Sequence, residues 1–310
     1  MIEVLKVILP VVVMIVLGVF CRKTNFLSLE GVENIKKLVT KIILPVAIFH
    51  ALSTANYSIK AVSVIGMMLA MILITYGLGY LLKPLMPEPE KKYLPFMVSV
   101  YEGGMMGYPL FANLCGTGEL AKIAMLDIAG LLFGFSIYMG MLQQAESGQK
   151  PNAKLLLFDA FKNPAFIATL LGIIFGITGI TKGILNSPFS ETYSAVESLI
   201  TASLTAMILI VVGYSLSFNI KLLKPCLRTI ILRILVQTPV IILMVIFVRK
   251  LFPGDAAVWV AVICYMSSPA TFSMQSFLKT EEGSKYAATT NSLYSLVSIA
   301  VYVVLAIVLK

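Results

Sequence analysis

The sequence predicts an all-α membrane protein with ten transmembrane helices, arranged as two inverted repeats of five. Three observations support this class. Hydrophobic residues make up 59% of the 310-residue chain and charged residues only 13%. Apolar runs of about 17–25 residues recur, which is the length that crosses about 30 Å of hydrocarbon as a helix. Two runs, one in each half of the chain, are interrupted by polar residues, glycine and proline.

The apolar runs divide the chain into ten spans. They cover residues 4–20, 38–53, 62–82, 93–114, 121–142, 164–180, 193–218, 226–248, 256–278 and 286–309. A helical stretch with several lysines leads into span 2. Span 1 is not a signal peptide, because its basic cluster, Arg22 and Lys23, follows the apolar run instead of preceding it. We assign the first repeat to residues 1–144, a cytoplasmic connection to 145–163 and the second repeat to 164–310.

The distribution of basic residues predicts the orientation in the plasma membrane, because lysine and arginine are enriched in cytoplasmic connections. The connections after the odd-numbered spans contain 17 of the 24 lysine and arginine residues, with Arg233 counted in the connection after span 7. The opposite side contains the other seven and both termini. We therefore predict that both termini lie outside the cytoplasm. This topology accounts for the formal charge of +9, so we expect the lipid bilayer and no nucleic acid as a partner.

An internal repeat relates the two halves of the chain. A shift of 164 residues places Asp127 on Asn291, and a shift of 154 serves the first span and places Gly18 on Gly172. Each half contains an odd number of spans, so the halves have opposite orientations in the membrane. Inverted repeats of this kind are the architecture of many secondary carriers.

Span 4 contains residues that interrupt a membrane helix. Glu102, Gly103, Gly104, Gly107 and Pro109 fall within eight residues. In a helix interior glycine costs about 1 kcal/mol and proline about 3 kcal/mol, and a carboxylate at the bilayer centre costs about 2.5–3.5 kcal/mol on insertion scales. The freed backbone groups must then find partners within the protein or line a wet cavity. This pattern indicates a helix that breaks where a polar ligand binds.

Span 9 has the same character, with Ser267, Ser268, Pro269, Thr271 and Gln275 in one stretch. Two interrupted segments in matching positions of the two halves indicate the binding site of a carrier. We predict that helices 4 and 9 are broken at about 103–109 and 267–271 and cross near mid-membrane. The helix N-termini at such breaks offer N–H groups and a partial positive charge suited to anions.

The candidate site combines acids, glycines, prolines and neutral polar side chains from these regions. The candidate substrate and ion ligands are Glu102, Gly103, Gly104, Pro109, Asn113, Asp127, Ser267, Ser268, Pro269, Thr271, Gln275 and Asn291. We predict no metal site and no cofactor, with H⁺ or Na⁺ as the coupling ion.

Three of the titratable residues have two interpretations each. Glu102 is either a proton or cation site, or a carboxylate that is satisfied by the N–H groups of the break. Asp127 lies either on an ion or substrate pathway, or near the surface and paired with Lys122 or water. His50 is either part of a proton relay or a packing residue.

The motifs in these spans resemble those of the auxin efflux carrier family, specifically its bacterial permeases. The residues that carry the resemblance are Gly107-Tyr108-Pro109-Leu110 in span 4, Ser268-Pro269-Ala270-Thr271 in span 9 and Ile43-Leu44-Pro45 in span 2. The resemblance implies a transport domain with crossing helices 4 and 9 beside a scaffold domain, and an elevator-like movement. It also implies small organic anions as substrates, such as indole acetate in plants and malate or malonate in bacteria. Glu102 departs from the family pattern, since many members carry asparagine at that place.

The function that we predict is secondary active transport of a small organic anion of the carboxylate type, coupled to protons, by a chain that forms a homodimer. The alternatives are a sodium-coupled symporter similar to the bile-acid transporter group, with Glu102 and Gln275 as oxygen ligands for Na⁺, and a non-transporting membrane receptor. A pump is disfavoured because the sequence has no phosphate-binding glycine-rich loop. An enzyme is disfavoured because HExxH and GxSxG motifs are absent from the sequence.

Overall fold

The computed structural model describes residues 2–148, 152–216, 219–272, 274, 278 and 280–309. All regular secondary structure in these ranges is helical, which confirms the all-α class. Six helices are long and apolar enough to cross a membrane, at Leu5–Lys23, Ile59–Leu81, Thr117–Ser147, Ser190–Ser215, Ile220–Leu251 and Glu281–Leu309. Two shorter apolar helices lie at Pro164–Thr178 and Ala256–Met266. These eight helices lie where spans 1, 3, 5, 6, 7, 8, 9 and 10 are predicted.

The segment of span 2 forms a helix with one wider turn. An α-helix over Leu29–Leu38 continues as a π-helical turn at Val39–Ile43 and as a second α-helix over Leu44–Thr54. Proline lacks an N–H donor and its ring clashes with the preceding turn of a regular helix. Pro45 is the second residue after the π turn, next to a place where the helix geometry already departs from regularity.

Span 4 is interrupted, but a few residues earlier than the prediction of 103–109. A short helix, Leu94–Ser99, ends before the non-helical residues 100–102. The glycines then form a π-helical turn, Gly103–Gly107, and Pro109 lies in the first turn of the Tyr108–Cys115 helix. The first turn of a helix tolerates proline because its missing N–H would have no partner there. The glycine-rich segment therefore starts the second half of the helix instead of interrupting it.

The helix of span 9 ends at Met266, and residues 267–271 are not helical. The two interruptions touch each other, because the backbone N–H of Glu102 donates to the carbonyl oxygen of Pro269 at 2.8 Å. Non-helical backbone from both halves of the chain therefore meets inside the helical assembly.

Glycines allow two pairs of helices to pack closely. In the pair formed by spans 1 and 7, a Cβ atom on Gly18 or on Gly213 would overlap a backbone carbonyl oxygen of the other helix. In the pair formed by spans 2 and 6, a Cβ atom on Gly172 would lie 2.8 Å from Cβ of Leu52. Small residues at such contacts let membrane helices approach closely.

Polar contacts join the helix ends at each face of the helical assembly. At one face, Lys92 pairs with Glu146 at 2.7 Å, and Arg22 donates to the carbonyl oxygen of Leu216. Further contacts at that face are Tyr93 with Glu146 and Thr280, and Arg228 with the carbonyl of Leu85. At the other face, Lys122 pairs with Asp255 and Lys182 with Asn56. Every one of these contacts joins residues in or next to the connections that follow two odd-numbered spans, or in or next to the connections that follow two even-numbered spans.

The assignment of Arg233 to a connection was wrong. Arg233 lies well inside the Leu223–Leu251 helix, and only 2% of its surface is exposed. Without Arg233, the count of basic residues on the predicted cytoplasmic side is sixteen. The side chain is accommodated because the neighbouring interruptions supply acceptors for the guanidinium group, as described below.

Candidate functional site

The carboxylate of Glu102 connects the two interruptions. Its Oε1 accepts from the backbone N–H of Met105 at 3.1 Å, and its Oε2 accepts from the backbone N–H of Phe272 at 2.6 Å. The side chain of Thr271 also hydrogen-bonds this carboxylate. Only 8% of the surface of Glu102 is exposed. One acidic side chain thus supplies acceptors to N–H groups from both halves of the chain, and the satisfied-carboxylate interpretation describes its geometry.

Asp127 is buried beside the place where the two interruptions meet, which we call the crossing, and two tyrosines hold its carboxylate. The hydroxyl of Tyr265 donates to Oδ1 at 2.9 Å, and the hydroxyl of Tyr108 donates to Oδ2 at 3.3 Å. The pairing with Lys122 that one interpretation offered was wrong, because the Lys122 ammonium pairs with Asp255 and Glu119. A Cβ atom on Gly103 would lie 2.9 Å from Oδ1 of Asp127, so glycine at 103 lets the span 4 backbone approach this acid closely.

Arg233 and Gln237 satisfy the carbonyl groups at the crossing, one turn apart on the span 8 helix. The guanidinium of Arg233 donates to the carbonyls of Met97, Val100 and Ser268, the last two at 3.2 and 2.8 Å. The amide of Gln237 donates to the carbonyl of Val98 at 2.5 Å and accepts from the hydroxyl of Tyr101 at 2.9 Å. Sequence reasoning missed both residues, although a charged residue within an apolar run is a recognisable signal of function or structure.

A cavity of about 300 Å³ lies against the crossing. Glu102 and Asp127 line it together with Gly103, Gly104 and Thr271, all of which were predicted as site residues. Lys36 and Lys41 from the segment of span 2 also line it. Two acidic and two basic residues therefore line the cavity, and the Lys36 ammonium also lies 3.6 Å from the carboxylate of Glu33. The cavity lies beside the N-terminus of the Gly103–Gly107 turn, whose N–H groups favour negative charge.

The other predicted site residues lie near the crossing but have structural partners. The hydroxyl of Ser268 donates to the carbonyl of Cys264 at 2.8 Å, and the carbonyl of Ser267 accepts from Ser298 at 2.6 Å. The backbone of Pro269 contacts Glu102, and Pro109 is buried at the start of its helix. Gln275 lies outside the described residues.

Asn113 and His50 are not among the residues that line the cavity. The Oδ1 atom of Asn113 accepts from the hydroxyl of Tyr302 at 2.6 Å. His50 hydrogen-bonds the hydroxyl of Tyr193 at 3.1 Å, as the packing interpretation expects. Asn291 is buried on the other side of Met105 and Phe272, in a second cavity that is described below.

The side chains that could bind a metal ion do not form a metal-binding cluster at the described positions. Within the described ranges, no group of three histidine, cysteine, aspartate or glutamate side chains is arranged to hold a metal ion. The polar groups at the crossing are instead backbone N–H and carbonyl groups with charged partners, which suits the recognition of an ion or a small polar solute.

Comparison with known proteins identifies the class to which this architecture belongs. The sequence profile of the membrane transport protein family, the auxin efflux carrier family, matches residues 3–306. The chain belongs to this family. The resemblance carried by the motifs of spans 2, 4 and 9 is therefore confirmed, and the family is one of membrane transport proteins and not of enzymes.

A curated relative supports the same family assignment. It is described as an uncharacterized transporter of Methanothermobacter thermautotrophicus, and it is 24% identical over 203 residues. The aligned region covers 64% of this chain and 66% of the relative, slightly less than two thirds of that protein.

Proposed function

We propose that this transporter is a secondary carrier that moves a small organic anion of the carboxylate type across the plasma membrane, coupled to protons. The observation that carries the proposal is the position of Glu102, which bridges both interruptions and lines the same cavity as Lys36. The lysine and the helix N-termini suit an anion. The acid gives the site a group whose protonation changes the net charge that the anion meets.

Coupling follows from the electrostatics of this arrangement. Two like charges about 5 Å apart interact by roughly 3 kcal/mol at an effective dielectric constant near 20, which changes affinity about a hundredfold. A protonated Glu102 removes this repulsion, so the proton and the anion can occupy the site together. Binding of each then favours binding of the other by the same factor.

We propose that the fold is a ten-span inverted repeat with an elevator-like mechanism. The glycine contacts support it. The shifts that relate the two halves place Gly18 on Gly172 and Phe49 on Gly213. A Cβ atom on Gly18 would lie 3.0 Å from Cα of Gly213, and one on Gly172 would lie 3.4 Å from Cα of Phe49. Span 1 corresponds to span 6 and span 7 to span 2, so the two pairs of helices pack through corresponding positions. Such matched close contacts suit a rigid scaffold beside the crossing.

We propose that both termini lie outside the cytoplasm and that the connection at 145–163 is cytoplasmic. The polar contacts between helix ends support two consistent faces, since odd-numbered connections contact only odd-numbered ones in the pairs described above. The excess of lysine and arginine at that face favours the cytoplasmic side for it.

The test of coupling compares Glu102→Gln with Glu102→Ala in proteoliposomes. We expect Glu102→Gln to fold, to bind the substrate and to transport it without the pH dependence of the wild type, because glutamine keeps an acceptor for the N–H of Met105 or Phe272 but does not titrate. We expect Glu102→Ala to lose transport, because both N–H groups then lack their partner. Uptake of a radiolabelled carboxylate at several values of pH measures this.

Two results would change the proposal. A wild-type pH profile at normal rate in Glu102→Gln would assign Glu102 a purely structural role. Loss of a sodium requirement in the same variant would instead favour the sodium-coupled symporter, so uptake is measured with Na⁺ and with K⁺ at equal ionic strength.

A further inference from the structure

A second, smaller cavity of about 60 Å³ lies between spans 2, 7 and 10. Its polar lining consists of Lys36, Ser215, Asn291, Ser292 and Ser295. A cavity needs about 10–15 Å³ of space for the centre of a water molecule in order to hold one, so this one holds a group of a few atoms. Asn291 and the three serines of this lining do not line the large cavity, and the proposed function stated above does not use them.

Asn291 is the unusual group in this cavity. Only 1% of its surface is exposed, and neither its Oδ1 nor its Nδ2 atom has a hydrogen-bond partner among the described residues. Buried side-chain amides almost always have partners, because an unpaired polar group is costly away from water. The hydroxyl of Ser295 is not a donor to the Asn291 side chain, because it donates to the backbone carbonyl of Asn291 at 2.8 Å. The amide is thus available to a ligand.

The charge of the lining indicates the ligand's class. Of the described residues that line the cavity, Lys36 is the charged one. A hard cation would be bound by oxygen ligands and would be repelled by the ammonium group. An anionic oxygen would instead accept hydrogen bonds from the ammonium and from the amide of Asn291, and charge-assisted bonds of this kind are the strong ones. A carboxylate, with three heavy atoms, fits the volume.

The small cavity is adjacent to the large one. Lys36, Met105 and Phe272 line both. Met105 and Phe272 are the two residues whose backbone N–H groups bind the carboxylate of Glu102. Glu102 therefore fixes the backbone of the wall that separates the small cavity from the crossing.

We propose that Asn291 and Lys36 form a binding subsite for the carboxylate group of the transported anion. This inference rests on the proposed function and adds the place of recognition, on the span 10 side of the crossing. The remainder of the anion extends past Met105 and Phe272 toward the large cavity. Asn291 occupies the position that corresponds to Asp127 under the shift of 164 residues, so the two repeats contribute an acid on one side of the crossing and an amide on the other.

The test measures binding of acetate and of malonate to the full-length protein in detergent. The melting temperature is recorded against the concentration of each sodium salt, with sodium chloride as the reference, since a ligand that binds the folded state raises it by mass action. We expect Asn291→Ala to weaken binding about tenfold, as the loss of a hydrogen bond to a charged group does. We expect Asn291→Asp to weaken it about a hundredfold, because a like charge then lies within about 5 Å.

Matched variants separate this subsite from general effects of charge. Lys37→Met and Asn34→Asp make similar changes at exposed positions of the helix that bears Lys36, and we expect both to keep the wild-type affinity. Lys36→Met is expected to weaken binding, and its combination with Asn291→Ala is expected to cost less than the two separate losses together, because both residues bind one group.

Each outcome decides a different claim. Carboxylate binding by the wild type with unchanged affinity in folded Asn291→Ala overturns the subsite and leaves the proposed function intact. No stabilisation of the wild type by either salt overturns the carboxylate substrate class and the subsite with it. If Asn291→Asp does not fold, Asn291→Ala and Asn291→Ser decide the matter, because neither adds charge.

Discussion

At the scale of single residues, two buried side chains of opposite charge satisfy the backbone groups at the crossing. Glu102 accepts from N–H groups that follow the interruptions, and Arg233 donates to carbonyls at or just beyond the C-terminal ends of the helices that lead into them. Helix N-termini favour negative charge and helix C-termini favour positive charge. Each charge therefore stabilises the broken ends that match it, and in lipid these backbone groups have no water to bind.

Substitution of Arg233 tests whether buried charges stabilise the helix ends at the interruptions. Arg233→Met leaves the carbonyls of Met97, Val100 and Ser268 without their donor, and each unsatisfied buried group costs about 1–3 kcal/mol. We expect a large loss of thermal stability in detergent. Arg233→Lys keeps the charge but not the planar fork, so we expect an intermediate melting temperature. A wild-type melting temperature for Arg233→Met would show that the carbonyls find other partners.

At the scale of helices, the sequence located both interruptions but not their structural detail. Glycine and proline content predicted the break of span 4 at 103–109, whereas the helix is open at 100–102. The difference arises because Pro109 fits a first turn and because Gly103 is needed for the close approach to Asp127. Such packing reasons depend on residues distant in the chain. The partner of Asn113, Tyr302, could not be predicted from one sequence for the same reason.

The packing of spans 1 and 7 gives a prediction at this scale. A Cβ atom on Gly18 would overlap the carbonyl oxygen of Ile210, so Gly18→Ala must separate the two helices. Overpacking of this kind costs about 1–3 kcal/mol. The control is Gly66→Ala, in the helix of span 3, where no atom lies within 4 Å of the added Cβ and the change is expected to stabilise the helix slightly.

Thermal unfolding of both variants in the same detergent measures the difference. We expect a lower melting temperature for Gly18→Ala than for the wild type, and an equal or higher one for Gly66→Ala. Equal melting temperatures for the two variants would mean that the contact between spans 1 and 7 is easily adjusted and does not form a rigid scaffold.

At the scale of the whole molecule, family membership and helical class followed from composition and short motifs, while the buried charge network did not. Arg233 was assigned to a connection because a count of basic residues ignores burial. The topology hypothesis survives this correction, since sixteen of the remaining basic residues lie on one predicted side against seven on the other. The contacts between helix ends group the connections into the same two sets.

Orientation in the membrane can be tested by thiol labelling in intact cells. Cys115, the native cysteine that is not fully buried, is first replaced by serine. We expect Ser147→Cys to be unreactive toward a membrane-impermeant maleimide until the cells are opened, because the 145–163 connection is predicted to be cytoplasmic. We expect Asn186→Cys, exposed after span 6, to react in intact cells. The reverse pattern would place both termini in the cytoplasm. The face that bears most of the lysines would then lie outside.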